Sequence, residues 1–282
     1  MTNKFTLALL TFFMASFLSF AQQIQMPQAS PSAKIIQKVG LTDVSIDYSR
    51  PSTKGRKIFG ELVPYGDVWR TGANGATVIT FSTNVTVGGQ AVPAGSYALY
   101  SIPGKNDWTI ILSKKTELWG SIGYQQSDDM VRFVVPASKT SKKYETFEIS
   151  FNNFTDNSAD VSMKWETTRV DFKIATEVDP IVMADIKKLV IDTETTDPAL
   201  LFQAASYYFT NSKDLNQAYA WAKTSTDSDP KYWTVHLRAK IEMALGMKTE
   251  ALDSATKSKA MAQKENNPDY VALNDRLIKS IK

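Results

Sequence analysis

Residues 147–180 read FEISFNNFTDNSADVSMKWETTRVDFKIATEVDP, and a change of period lies inside them. Phe147, Ile149 and Phe151 alternate with Glu148, Ser150 and Asn152. Val161, Met163 and Trp165 alternate with Ser162, Lys164 and Glu166, and Val170, Phe172 and Ile174 with Asp171 and Lys173. One apolar and one polar face per segment is the signature of antiparallel strands with one side packed on a core. Beyond Val178 the spacing becomes three and four. Asp179-Pro180 opens a helix with proline in the first turn, where its missing N–H would have no partner anyway. The chain therefore reads as a β domain followed by an α domain, with the boundary near Val178.

Working back from that stretch, the period of two persists to Thr42. Val44, Ile46 and Tyr48, then residues 77–81, 84–87 and 90–92, form short strands, with Gly88-Gly89 supplying the positive φ angles of a tight hairpin. Residues 95–102 and 107–113 pair across a Pro-Gly-Lys-Asn turn, and 130–135 follows. Strands separated by turns and uninterrupted by helix indicate an antiparallel β-sandwich, jelly-roll-like, of about nine strands over residues 42–177. Residues 22–41 are read as an N-terminal extension.

Working forward, residues 178–282 form a small all-α unit of helical hairpins. Asp197-Pro198 and Asp229-Pro230 repeat the helix-opening pair. Ala205, Ala218 and Ala222 recur some 33 residues later as Ala239, Ala251 and Ala255, close to the offsets of a tetratricopeptide repeat.

The first 21 residues read as an export signal. Lys4 supplies the positive start, Phe5 to Leu18 an apolar run, and Ser19-Phe20-Ala21 a cleavage motif before Gln22. The run is shorter than the roughly 20 residues a membrane span needs, so no span is expected after cleavage. A bacterial periplasm, or secretion, is the expected location. The chain has no cysteine, hence no disulfide framework and no thiol for lipid attachment.

Charge and residue inventory narrow the chemistry. Cleavage would remove one lysine and no acid, leaving a net of +2, with 17 basic and 15 acidic side chains before Val178 and 14 of each after it. Neither half carries the basic footprint of a nucleic-acid binder. One histidine, His236, and no cysteine exclude an HExxH zinc site and a Cys-His couple. Glycine-rich nucleotide loops are absent. No cofactor or metal is expected. Asp128-Asp129 in YQQSDD is a weak candidate for calcium, or for a glycosidase pair with Glu61, and reads better as a solvated loop.

The stretch YSRPSTKGRKIFGELVPYGDVWRTGAN, residues 48–74, resists assignment to strand or helix. Ordered loops of this length are functional or fill a core. Arg50, Lys54, Arg56, Lys57 and Arg70 fall within 21 residues. Guanidinium groups fork onto carboxylate or phosphate, and Trp69 offers a stacking face for a sugar. The candidate ligand site is thus Arg50, Arg56, Trp69, Arg70 and Asn74, with Glu61 and Asp67 as acids. The competing reading has Arg56 and Arg70 pair with Glu61 and Asp67 and with backbone carbonyls, while Ile58, Phe59, Leu62, Val63 and Trp69 fill the end of the sandwich.

These same residues, with SPSAKIIQKVG at 30–40 and VPAGSYALYSIPGKNDWTIILS at 92–113, resemble the domain of unknown function 2911 family, found in exported proteins of Bacteroidota. The resemblance spans about Ser30 to Glu177. It implies a hallmark set, YSRP, KGR, VPYG and VWRTGAN, and no activity. Gly75 departs from the family's usual glutamate in GANEAT, which lowers the enzyme reading. The expectation is a non-catalytic binding or accessory protein that takes a small anionic or glycan ligand on the Arg50–Asn74 loop and protein partners on its helices. The alternatives are a carboxylate-dependent glycan hydrolase and a pure scaffold.

Overall fold

The structure is a computed structural model and describes residues 26–281, so the export signal lies outside the described residues. The chain divides into two compact units that meet at Thr176 and Glu177, and each is described by itself.

The first unit is an antiparallel β-sandwich of nine strands. They are β1 (Ser32–Val39), β2 (Thr42–Ser49), β3 (Thr77–Phe81), β4 (Val85–Val87), β5 (Gln90–Val92), β6 (Gly95–Pro103), β7 (Asp107–Ser113), β8 (Asp129–Asn152) and β9 (Ser158–Thr176). Hydrogen bonding runs in the order β1-β2-β3-β6-β7-β8-β9-β4-β5. This is a meander with one excursion, the β4–β5 hairpin, which leaves β3 and joins β9 in the second layer. The passage between layers is made within β8. Its first part pairs with β7, and its later part pairs with β9. Val44, Ile46, Ile79, Leu99, Ile110 and Leu112 from the first layer close on Phe147, Val161, Met163, Phe172 and Ile174 from the second in one buried cluster.

Three segments depart from the sequence reading. Residues 32–39, read as part of an extension, form β1 and pair along their whole length with β2. Their inward positions are Ala33, Ile35, Gln37 and the buried Val39, and a polar Gln37 inside with an exposed Ile36 outside blurs the apolar stripe. The separate strands expected at 130–135 and 147–152 are one strand of 24 residues, and those at 161–166 and 170–174 are one of 19. In β9 the buried apolar side chains sit at odd positions through Trp165 and at even positions from Val170. A regular strand cannot change parity. An extra residue must be absorbed, by a turn or by a bulge, and here the bulge wins at Glu166, whose φ of 51° lies in the left-handed region.

The second unit holds six helices: α1 (Asp179–Ile186, continued by a π turn over Lys187–Ile191), α2 (Pro198–Thr210), α3 (Leu215–Ser228), α4 (Tyr232–Ala244), α5 (Lys248–Lys264) and α6 (Pro268–Ile281). Short links leave each helix packed on the next from α2 to α6. Asp197 caps α2 by accepting from the Ala199 N–H at 2.8 Å. Asp229-Pro230 does not cap a helix. Asp229 ends α3, and α4 begins two residues after Pro230.

The repeat seen in the sequence has a hydrogen-bond counterpart. Ser225 donates to the Pro198 carbonyl at 2.7 Å, and Ser258 to the Tyr232 carbonyl at 2.6 Å. Ala205, Ala218 and Ala222 are buried, as are Ala239, Ala251 and Ala255. Small side chains let neighbouring helices approach closely, and the serine hydroxyl then gives a carbonyl in the first turn of the preceding helix a second acceptor role.

Among the described residues no helix is long and apolar enough to cross a membrane.

Candidate functional site

The loop between β2 and β3 is built in three steps. Residues 50–54 run beside β8: Phe147 N–H donates to Pro51 O and Thr53 N–H to Glu145 O, both at 2.8 Å. The Thr53 hydroxyl and, at 2.8 Å, the Lys54 N–H donate to the Glu145 carboxylate, and these bonds hold it below the usual carboxylate range. Next comes a tight turn, with Val63 N–H on Ile58 O and Gly60 N–H on Val63 O, each at 2.9 Å. It drives Ile58, Phe59 and Val63 into the core while Leu62 stays 46% exposed. Third, Trp69 and Ser101 exchange backbone bonds of 2.7 and 2.9 Å, which fixes residues 67–74 across the end of β6.

Trp69 is therefore a core residue. It stacks on Trp165 with centroids 5.8 Å apart and planes 17° from parallel, and meets Phe59, Trp108 and Phe147 edge-on. Its indole N–H donates to Gly72 O at 3.0 Å. Only 7% of it is exposed, so it offers no open stacking face.

Past Trp69 the backbone is strained. Thr71 is fully buried at φ 51°, an unusual conformation for a β-branched residue, and Asn74 follows at φ 60°. Thr71 is held by its hydroxyl contact with Ser101 at 3.0 Å and by the Thr77 hydroxyl, which donates to its carbonyl at 2.7 Å. Gly72 is required between them, because a Cβ there would stand 3.0 Å from Ser49 O and from Thr77 Oγ1. Asn74 donates to Ser30 O at 3.3 Å and to Ser49 Oγ at 3.2 Å, tying the loop to the residues before β1.

This segment borders a pocket of about 440 Å³. Five of the seven sequence-derived candidates line it: Arg56, Asp67, Trp69, Arg70 and Asn74. Arg50 and Glu61 do not. Arg50 donates through Nε to Phe147 O at 3.0 Å and braces β8, while Glu61 pairs with Lys57 at 3.1 Å in the open. The pairings expected of Arg56 and Arg70 with Glu61 and Asp67 are not made, while the expected bonds to backbone carbonyls are made by Arg56 alone. Arg56 donates to Thr53 O at 2.9 Å and Ser52 O at 2.8 Å and is exposed. The Arg70 side chain has no hydrogen-bond or ion-pair partner among the described residues, and its Nε is buried without one. Gly120 presses on it. A Cβ at Gly120 would lie 3.0 Å from Arg70 Nη1.

Residues 30–174 match the family described as protein of unknown function (DUF2911). The chain belongs to that family. No curated protein and no solved structure matches it. The DUF2911 region contains the whole pocket, and the helical unit lies outside the match.

Three DUF2911 pocket residues escape sequence reasoning. Trp165 reads as an ordinary inward strand residue, Ser30 opens the family stretch SPSAKIIQKVG without marking itself as a site residue, and Ser121 comes from a segment without a motif. The only signal near Ser121 is the pair Trp119 and Ile122, large apolar residues amid polar ones.

Of the acidic pair Asp128-Asp129, Asp129 is structural. The Tyr124 hydroxyl donates to Asp129 at 2.8 Å and Arg132 pairs with the same carboxylate at 3.0 Å. Burial, reinforced by Asp129, pushes the Tyr124 phenol up to about 12. Asn153 donates to Asp160 at 2.9 Å within the β8–β9 turn. His236, on α4, contacts Asn274 at 2.8 Å, and burial pushes its imidazole below its ordinary value. Among the described residues no group of three or more His, Asp or Glu side chains could hold a metal ion.

Proposed function

We propose that this protein is an exported, non-catalytic binding module that holds a small anion in the Arg70 pocket. The observation that carries this reading is the buried, unpartnered Nε of Arg70. A donor desolvated without a partner costs about 1–3 kcal/mol, and more when charged. A ligand oxyanion supplies the missing acceptor, and the guanidinium fork matches a carboxylate or phosphate. Arg56 adds a second cation against the single lining carboxylate, Asp67. The strained Thr71–Asn74 backbone beside it fits a functional site, since strain of this kind persists where the surroundings over-determine it.

Two parts of the sequence-level expectation lose support. Burial of Trp69 removes the stacking platform for a sugar. A glycan hydrolase needs two carboxylates about 5–9.5 Å apart, and one carboxylate lines the pocket. Export to the periplasm rests on the Lys4–Ala21 segment, and sequencing the N-terminus of protein recovered from the native cell envelope tests it through the appearance of Gln22. For the helices, protein contacts are proposed on the strength of the half-exposed Leu189 and Ile191 beside a groove lined by Leu201, Tyr208 and Trp221.

The test of the pocket is calorimetric titration of the protein and its Arg70→Met variant with inorganic phosphate and with short carboxylates. Saturable binding that disappears in Arg70→Met is expected. Binding by neither, or equally by both, overturns the assignment.

A further inference from the structure

The loop from Leu118 to Gly123 supplies a property of the ligand that Arg70 alone does not. Leu118 packs on the outer face of β6 and β7 with Val68, Ile102 and Tyr124 around Tyr100. The Ala76 N–H donates to Leu118 O at 3.3 Å, and Trp119 forms a backbone bridge to Gly75, next to the pocket residue Asn74. Gly120, at φ 69°, then turns the chain against Arg70 Nη1 and accepts from the Tyr100 hydroxyl at 3.2 Å. Ser121 lines the pocket. A loop anchored at so many points is placed, and yet the two side chains flanking Gly120 and Ser121 are left in water: Trp119 is 69% exposed and Ile122 78%. Leu62, which lines the pocket from the other loop, is 46% exposed.

Exposed apolar residues scattered singly mean little. Two on one anchored loop, adjoining a pocket whose arginine lacks a partner, are a different observation. The anion-binding reading accounts for Arg70 and leaves Trp119, Ile122 and Leu62 unexplained.

We infer that the ligand is an amphipathic anion, a carboxylate or phosphate head held by Arg70 joined to an apolar body that covers Trp119 and Ile122. This inference rests on the anion-binding reading. Charge favours the head at the two arginines over Asp67, and Gly120, between Trp119 and Ser121, lies beside Arg70 Nη1, so the apolar body is assigned to the Trp119–Ile122 loop. A free alkyl acid and the carboxyl end of an apolar peptide present the same chemistry.

The experiment is calorimetric titration of the purified protein with acetate, butyrate, hexanoate and octanoate, with inorganic phosphate, and with an N-acetylated dipeptide ending in leucine. The variants are Arg70→Met and the double variant Trp119→Ser/Ile122→Ser, whose surface position leaves folding intact as checked by circular dichroism. Affinity should rise about twofold per added methylene, half of what full burial of each would give. In the double variant the rise should vanish while acetate and phosphate bind as before. Tighter binding of the dipeptide than of hexanoate marks a chain end as the source, and the reverse marks an alkyl acid. If every carboxylate binds alike and Arg70→Met abolishes all binding, the anion site stands and the amphipathic ligand is refuted. If nothing binds in an Arg70-dependent way, both fail.

Discussion

Arg70 in the sandwich and Arg238 in the helical unit are both partly buried arginines, and they are treated in opposite ways. Arg238 donates to Glu242 at 2.7 Å, to Asp227 at 3.0 Å and to the Thr226 hydroxyl at 3.1 Å. Through Nε and Nη1 its guanidinium joins α3 to α4. Arg70 makes no such bond and faces a pocket. An arginine that braces structure is surrounded by acceptors from its own chain. One left for a ligand finds no acceptor for its side chain among the described residues of its own chain, and the missing acceptor must come from outside. Composition alone cannot tell the two apart.

Substitutions that break the contrast rank clearly. The largest effect belongs to Trp69→Ala, next to Arg70. Loss of the stack on Trp165 should destabilise the sandwich by about 3–5 kcal/mol in urea unfolding, whereas an exposed ligand platform would cost next to nothing. Arg238→Met should come next, at about 3 kcal/mol, because Glu242 is fully buried and would lose its partner. A loss under 1 kcal/mol would show that the pair contributes little.

Arg70→Met should move the other way. Removing an unsatisfied buried donor and keeping its volume should raise stability by about 1 kcal/mol while abolishing anion binding. If stability falls as it does in Arg238→Met, Arg70 is a brace and the contrast dissolves.

A smaller effect concerns pH. His236 has its folded pKa depressed from 6.5, first by burial and also by Lys240, against the Asn274 bond that raises it, and the Tyr270 ring lies beside it. The unfolded chain then takes up the proton more readily. The stability it contributes is complete above pH 6.5 and is lost as pH falls through the lower folded value. The urea midpoint should therefore fall between pH 7.5 and 5.5 by more in the native protein than in His236→Gln, and equal slopes would refute this. Smallest of all, Glu61→Gln should change neither stability nor ligand binding, since Glu61 makes only its exposed pair with Lys57. Any loss of a hydrolytic activity in that variant would revive the carboxylate mechanism.

The architecture was largely legible because it rests on periodicity. Val161 to Ile174 gave both strand character and, through the parity change, the need for an interruption. Whether a turn or a bulge supplied it depended on pairing with β8, which pattern alone does not contain. That pairing is itself irregular: from Lys139↔Thr168 to Glu148↔Lys164 β8 advances nine residues while β9 advances four. The polar run Lys139–Lys143 carries no apolar alternation and is the outward excursion of one strand. β1 is hidden for a related reason, as polar Gln37 faces inward and apolar Ile36 outward. In the candidate site the loop was legible and the roles within it were not. Trp69 and Arg70 are adjacent and equally suggestive as residue types, and only the fold sends one into the core and leaves the other facing the pocket.

The continuity of β8 and β9 has a dynamic consequence. Each belongs to more than one pairing partner, and β8 carries hydrogen bonds of both layers on a single unbroken strand. Neither layer can unzip without disturbing a strand that the other needs. Native-state amide exchange should accordingly show slowly exchanging amides of β6, β7, β8 and β9 opening together with one free energy, as a single cooperative unit, while β1 and β5 at the two ends of the strand order exchange sooner through local fraying.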